Sequence, residues 1–246
     1  MVSRCRYQSS SEIGVYGRIT NSYALLPLDA SETFFSSFES ILNDKIPIIK
    51  STIANTAIVG RLTAGNKNGL ILPLTTTEME IKSIREQLPE EISLIKIQEK
   101  FSALGNVISC NDHYALVHPE LDADTLTAIS DVLGVEVIPA NIAGESLVGS
   151  YSVFTNKGGI VSANATQEEI AELSSHLRIT IEAATVNTGV NLLSAGICVN
   201  DFAMIAGWDT TALEIANLTR IFKIDDSSSQ TSDLLNIDES LIDLIL

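Results

Sequence analysis

The chain has 246 residues, 45% of them hydrophobic, enough for one large core or two small ones. Its 31 Asp and Glu outweigh 15 Lys and Arg for a net charge of −16, and so acidic a surface repels phosphate backbones, which excludes a protein that wraps nucleic acid. Three scattered cysteines, Cys5, Cys110 and Cys198, have neither zinc-site spacing nor disulfide density, and no stretch approaches the roughly 18 apolar residues of a membrane span, so a cytosolic or nuclear protein is expected.

After MVSRCRYQSS, which lacks the apolar core of a secretory signal, the first unit runs from turns at Gly14 and Asn21 through the β-rich TNSYALLPL to a helix capped by Ser31. Phe35, Phe38 and Leu42 lie four, seven and eleven residues past that cap, so one helical face is apolar. The strand IPIIKSTIA follows. The second unit repeats the order with Gly60, Asn66, the cap Thr77 and the stripe Ile81, Ile84 and Leu88 before ISLIKIQ, and Glu80 completes a reciprocal capping box. The third has Gly105, Asn111, the strand CNDHYALVHP, the cap Asp122, the stripe Leu126, Ile129 and Leu133, and then VEVIPANI. In the fourth come Gly149, Asn156, Thr166 with Glu169, the stripe Ile170, Leu173 and Leu177, and ITIEAATV. The fifth has Gly196, Asn200, VNDFAMIAG, Thr211 with Glu214, and Ile215, Leu218 and Phe222, but no strand after its helix.

The caps stand 46, 45, 44 and 45 residues apart, so the chain is five copies of one unit of about 45 residues reading strand, turn, strand, helix, strand. An open array needs polar end units, yet the first and fifth helices carry the same apolar stripe as the others. Closing the units into a ring removes exposed ends, with N-terminal residues such as EIGVY expected to pair beside the last unit. The capped helix in every unit excludes a WD-type propeller. The expected fold is a five-fold pseudosymmetric α/β ring over residues 1–224, followed by an acidic tail at 225–246. Six acidic and no basic residues fall in that tail, so the ring alone carries −10. Its pattern LLNIDESLIDLIL suits an amphipathic helix that docks on a partner or on the ring.

Equivalent residues of a ring fall on one circle. The residues after the unit glycines, Val15, Arg61, Asn106, Ser150 and Ile197, therefore decorate a common rim whose mixed character suits a protein partner. On the residues alone, satisfying turn carbonyls is the more ordinary task for Arg61 and Asn106.

The stretches IVGRLTAGNKNGLILP, SALGNVISCNDHYALVHP, ISDVLGVEV, LVGSYSVFTNKGG and GWDTTALE resemble the translation initiation factor 6 family from about Arg6 to Ile224. The resemblance implies the ring fold called a pentein. It also implies binding to the intersubunit face of the large (60S) ribosomal subunit, mainly on a ribosomal protein beside the sarcin-ricin loop, which blocks joining of the small subunit. Further implications are a part in large-subunit biogenesis and export from the nucleolus to the cytoplasm, and handling by release factors of late subunit maturation. Little direct nucleic-acid contact, no membrane, no cofactor and a monomer when free are expected. The resemblance turns the reading of the rim toward ribosome binding and adds Tyr151 and Leu192 to it. It makes Ser174 and Ser175 a candidate phosphorylation pair, for which a solvated helix face is the plain alternative. Thr188 stands where the family usually has arginine, and Trp208 where leucine is usual.

Some penteins modify guanidino groups with a channel cysteine, a histidine and carboxylates, which makes Cys198, His118 and Glu120 the candidates of an alternative, enzymatic reading. The near-constant spacing leaves no insertion long enough to build a pocket, so no catalytic residue and no enzyme is expected. His113 and His176 have no metal-ligand spacing, and AGNKNG lacks the lysine of a phosphate loop.

Overall fold

A computed structural model describes residues 1–42 and 45–224, and the expected tail helix lies outside them. After β1 (Val2–Cys5), the first unit runs α1 (Ile13–Tyr16), β2 (Arg18–Ile19), β3 (Ala24–Pro27), α2 (Glu32–Leu42) and β4 (Ile48–Ser51). The second comprises α3 (Val59–Leu62), β5 (Ala64–Gly65), β6 (Gly69–Pro73), α4 (Glu78–Gln87) and β7 (Ser93–Ile97). The third comprises α5 (Leu104–Val107), β8 (Ile108–Cys110), β9 (Tyr114–Val117), α6 (Ala123–Leu133) and β10 (Glu136–Pro139). In the fourth are α7 (Val148–Tyr151), β11 (Ser152–Phe154), β12 (Gly159–Ser162), α8 (Gln167–Leu177) and β13 (Ile181–Ala184). The fifth ends the ring with α9 (Leu193–Gly196), β14 (Ile197–Val199), β15 (Met204–Gly207) and α10 (Ala212–Phe222). A single helical turn before each first strand is an element the sequence pattern did not predict.

In every unit the first two strands pair antiparallel, and in the first four the third returns parallel after the helix. The fifth unit has no third strand of its own. The start of the chain supplies it: β1 pairs in parallel with β15, from Val2 opposite Met204 to Cys5 opposite Gly207. This corrects the expectation for EIGVY, most of which forms α1, while the short VSRC closes the ring. Two arginines and a serine around Cys5 in SRCR hide any strand alternation there.

The outer helices do not pack on their own sheets alone. Ile84 of α4 and Leu88, the residue just past it, share a core with Leu25 and Ile49 of the first unit as well as with Leu70 and Leu72 of their own. Phe38 and Leu42 likewise pack with Cys5 and Ile205 across the seam between fifth and first units. Five such clusters alternate around the ring. Side chains seven and eleven past each cap are all buried, while those four past are half-buried except Ile170. Burying one such Leu or Ile stabilises by about 1.5–3 kcal/mol, and here much of that gain is realised only when two units meet.

Thr77, Thr166 and Thr211 form reciprocal capping boxes, and Ser31 Oγ accepts from the Phe34 amide at 3.3 Å. Asp122 caps by position only; its side chain makes no cap bond. The box glutamates also grip the preceding unit. Glu80 accepts from Thr52 Oγ1 at 2.6 Å, the Asn55 amide at 2.8 Å and the Thr77 amide at 2.8 Å. Burial by itself would raise its pKa, but these hydrogen bonds outweigh burial and hold the carboxyl below its ordinary value. Glu80→Ala is expected to cost about 2–3 kcal/mol at neutral pH, read from urea unfolding. Because the folded pKa lies below the unfolded one, this stabilisation is present above the unfolded value and lost as pH falls through the folded value. The gap between wild type and variant should therefore narrow below about pH 4, and a gap unchanged at pH 3 would contradict the assignment.

Candidate functional site

Leu25 lies opposite Arg18 in the β2–β3 hairpin, so the end of β3 returns to the level of α1. By repetition, the single-turn helices, the turns after β3, β6, β9, β12 and β15, and the loops joining units all lie on one face. The five small helices touch in order, and α9 meets α1 to complete an inner ring. Their second residues face the backbone of the preceding unit: a methyl group on Gly105 would stand 2.5 Å from the Gly60 carbonyl oxygen. Gly14, Gly60 and Gly149 are tighter still.

The fifth residue of this set is Ser194, not Gly196. The steps from Gly14 through Gly60, Gly105 and Gly149 to Ser194 are 46, 45, 44 and 45, the same as for the caps. Serine fits because its hydroxyl donates to the Gly149 carbonyl oxygen. Consequently Ala195 holds the fifth rim position, and Ile197 does not belong to the rim. It lies on β14, 3% exposed, packed with Leu193, Leu218 and Phe222. The turn asparagines need the same correction. Thr20, Asn66, Asn111, Thr155 and Asn200 each accept from the amides two and three residues on, whereas Asn21 and Asn156 stand one position further along.

Of the other rim candidates, Val15, Asn106 and Tyr151 are half-buried and Ser150 is 4% exposed. Ser150 Oγ donates to Asn106 Oδ1 at 3.2 Å, which fixes the amide in the rim. Arg61 reaches across the mouth of the ring and donates to Ser194 Oγ at 2.7 Å. Burial, then the neighbouring Arg18 guanidinium, pulls its pKa down to about 10, so it remains a cation at neutral pH. Arg18 itself donates to the Gly60 and Thr63 carbonyls at 2.9 and 2.7 Å, tying the first unit to the second.

Leu192 is exposed, and its phase reveals what residue-by-residue reading missed. It precedes its rim helix, as do Glu12, Ile58, Ala103 and Leu147 in theirs, and Leu147 and Leu192 are each 39% exposed. Three residues before each outer cap stands a second circle, Leu28, Leu74, Pro119, Ala163 and Trp208, apolar and exposed in all five units. The constant phase would have found both circles. The Arg4 and Arg6 guanidiniums lie 5.4 and 5.5 Å from the centroid of Trp208, and Arg6 pairs with Asp209 at 2.9 Å. Thr188, with a left-handed φ of 64°, donates its hydroxyl to the Asp209 carbonyl at 2.7 Å.

Inside the ring, Asn21 and Asn156 each donate through Nδ2 to Asp112 and Asp201 at 2.7 to 2.8 Å, and these four side chains form a floor to the central channel. Above it, Cys198 Sγ donates to the Gly17 carbonyl at 3.3 Å, and burial holds its pKa far above the ordinary thiol value. Burial pushes Cys110 up to about 11. A protonated thiol is a poor nucleophile. His118 and Glu120 are not brought to Cys198: the imidazole packs on Phe101 and accepts from the Glu120 amide at 3.0 Å, and the Glu120 carboxylate pairs with Lys100. His113 and His176 are exposed, and among the described residues no group of His, Cys, Asp or Glu could hold a metal ion. Ser174 Oγ accepts from the Ile181 amide at 3.1 Å, and Ser175 is exposed.

The pattern of the eIF-6 family matches residues 2–221. The chain is 45% identical over 231 residues to "Eukaryotic translation initiation factor 6" of Saccharomyces cerevisiae, covering 94% of each. It is 46% identical over 244 residues to "Eukaryotic translation initiation factor 6-2" of Arabidopsis thaliana, covering 99% of each. Among solved structures it is similar to the substrate-bound N-terminal domain of ArgZ, a cyanobacterial arginine dihydrolase, with a TM-score of 0.50 and 11% identity over 75% of this chain and 73% of that one. At that identity the likeness is one of fold alone, the pentein ring.

Proposed function

The chain belongs to the eIF-6 family, and from that premise we propose that it binds the intersubunit face of the large ribosomal subunit through its rim face and so blocks joining of the small subunit. Its family relatives are named as translation initiation factors. One observation carries the choice of face: a circle of exposed apolar side chains, Leu28, Leu74, Pro119, Ala163 and Trp208, with the exposed Leu147 and Leu192, on the same side as Arg61, Asn106 and Tyr151. A protein of charge −16 is suited to a basic ribosomal protein, such as one beside the sarcin-ricin loop, rather than to extensive RNA contact. The reading includes passage with large-subunit precursors from nucleolus to cytoplasm, removal by late maturation factors, and a monomer when free. It assigns no catalytic chemistry, in keeping with the buried thiol of Cys198 and its separation from His118 and Glu120. Ile197 has no place in the contact surface, being core.

Leu147→Asp/Leu192→Asp is expected to weaken cosedimentation with purified large subunits at least 100-fold, since each carboxylate would be stripped of water at the contact. Both leucines are exposed, so the circular dichroism should be unchanged. Lys82→Ala, on the outer face of α4, should bind as wild type. Arg61→Ala is a less clean probe because it also removes a bond to Ser194. Wild-type binding by the folded double variant would mean that another face meets the ribosome.

A further inference from the structure

The face opposite the rim carries a charge distribution that subunit binding does not explain. Among the described residues, four of the fifteen Lys and Arg, namely Lys67, Lys157, Arg178 and Lys223, engage no carboxylate, carbonyl, hydroxyl or aromatic ring through their side chains. Three of these four line one open pocket, together with Ser174 and Asn156. The fold brings them there. Gly158 abuts the Ile221 carbonyl so closely that a methyl group would collide with it, which sets Lys157 beside the last turn of α10. Arg178 and Lys223 hold equivalent positions just past α8 and α10, both with left-handed backbone, φ 54° and 51°. The third unit has Gly134 there.

Two helix C-termini favour cations nearby, but that does not account for three without a single counter-charge in a ring of net charge −10. Nearby acids are committed elsewhere: Glu182 pairs with Arg220, and Asp201 is held by Asn21 and Asn156.

We propose that the chain's own acidic segment, residues 225–246, docks in the pocket of Lys157, Arg178 and Lys223. Only Ile224 separates Lys223 from Asp225 and Asp226, and the segment carries four further carboxylates at Asp233, Asp238, Glu239 and Asp243 with no basic residue. Fifteen residues separate Ile224 from Glu239, and a chain of that length spans about 20 Å end to end. Such a tether holds the carboxylates at an effective concentration in the mM range, so ion pairs that are weak one by one suffice. The rest of the acidic ring repels the segment, which leaves this pocket as its attractive surface.

The test is cleavage of the full chain after Glu239, the only glutamate of the segment, by a glutamyl endopeptidase, followed by mass spectrometry. A synthetic peptide of residues 234–246 serves as the control for the protease itself. At low salt the wild type should be cut at least 10-fold more slowly than Lys157→Glu/Arg178→Glu/Lys223→Glu. Salt at 0.5 M should abolish the difference, because exposed ion pairs are screened. Asp233→Asn/Asp238→Asn leaves the ring untouched and should be cut as fast as the triple variant, which keeps the proposal testable if that variant misfolds. Equal rates in wild type and both variants would overturn it. Protection that grows with protein concentration would overturn it in favour of a second copy. Equal rates, with an RNA oligonucleotide binding wild type but not the triple variant, would assign the pocket to nucleic-acid phosphate instead.

Discussion

Gly14→Ala is expected to destabilise the ring by about 3 kcal/mol or more, a fall of roughly 10 °C in the thermal transition for a chain of this size. The added methyl would strike the carbonyl oxygen of Ser194, and would lie 2.9 Å from that of Ile197 and 3.1 Å from the Ser194 carbonyl carbon. All three atoms are backbone, so no flexible side chain can move aside; the fifth unit itself must shift from the first. The requirement is for space, since Gly14 is not among the residues with left-handed backbone. Ser194→Gly tests the same position in the unit that already tolerates a side chain. It removes the bonds to the Gly149 carbonyl and from Arg61 without creating a clash, so a cost of only about 1–2 kcal/mol is expected. Calorimetry of both variants decides the matter. A Gly14→Ala protein that melts with the wild type would mean that the inner ring is looser than its geometry.

Removing residues 1–6 is expected to abolish the single cooperative unfolding transition. Without β1, strand β15 becomes an open edge, and Cys5 leaves the cluster that Phe38, Leu42 and Ile205 share with it. Because each core cluster spans two units, the damage does not stay local: the seam between fifth and first units opens, and α2 loses the strand it packs against. The expected result is a broad urea transition with exposed apolar surface and aggregation, at a loss comparable with the whole stability of about 5–15 kcal/mol typical of a domain. Ser3→Pro is the subtler form of the experiment, since the register turns the Ser3 amide toward β15 and proline cannot donate in the strand that closes the ring. A truncated protein with a sharp transition within a few degrees of wild type would show that closure is not what holds the fifth sheet.

The repeat was legible in the sequence because helix caps and apolar stripes are local signals. A threonine with a glutamate three residues on, and apolar residues four, seven and eleven past the cap, report the geometry of one helix whatever lies around it. Where the reading slipped, it followed residue identity instead of phase. Gly196 and Asn156 drew attention as turn residues, yet the spacing of the caps already pointed to Ser194 and Thr155. The physical reason is that these positions conserve a task rather than a side chain: a threonine hydroxyl and an asparagine amide oxygen accept the same turn amides, and a serine can occupy a tight rim position by hydrogen-bonding the carbonyl that glycine merely avoids. What only the tertiary structure decided lies at the meeting of distant segments. The strand VSRC has no pattern of its own and is defined by its pairing with β15, some 200 residues away. Lys157, Arg178 and Lys223 are single charges in three separate segments until the packing of Gly158 against α10 draws them together. Local periodicity fixes which residues face a core, but which unit supplies the other half of that core is set by ring closure.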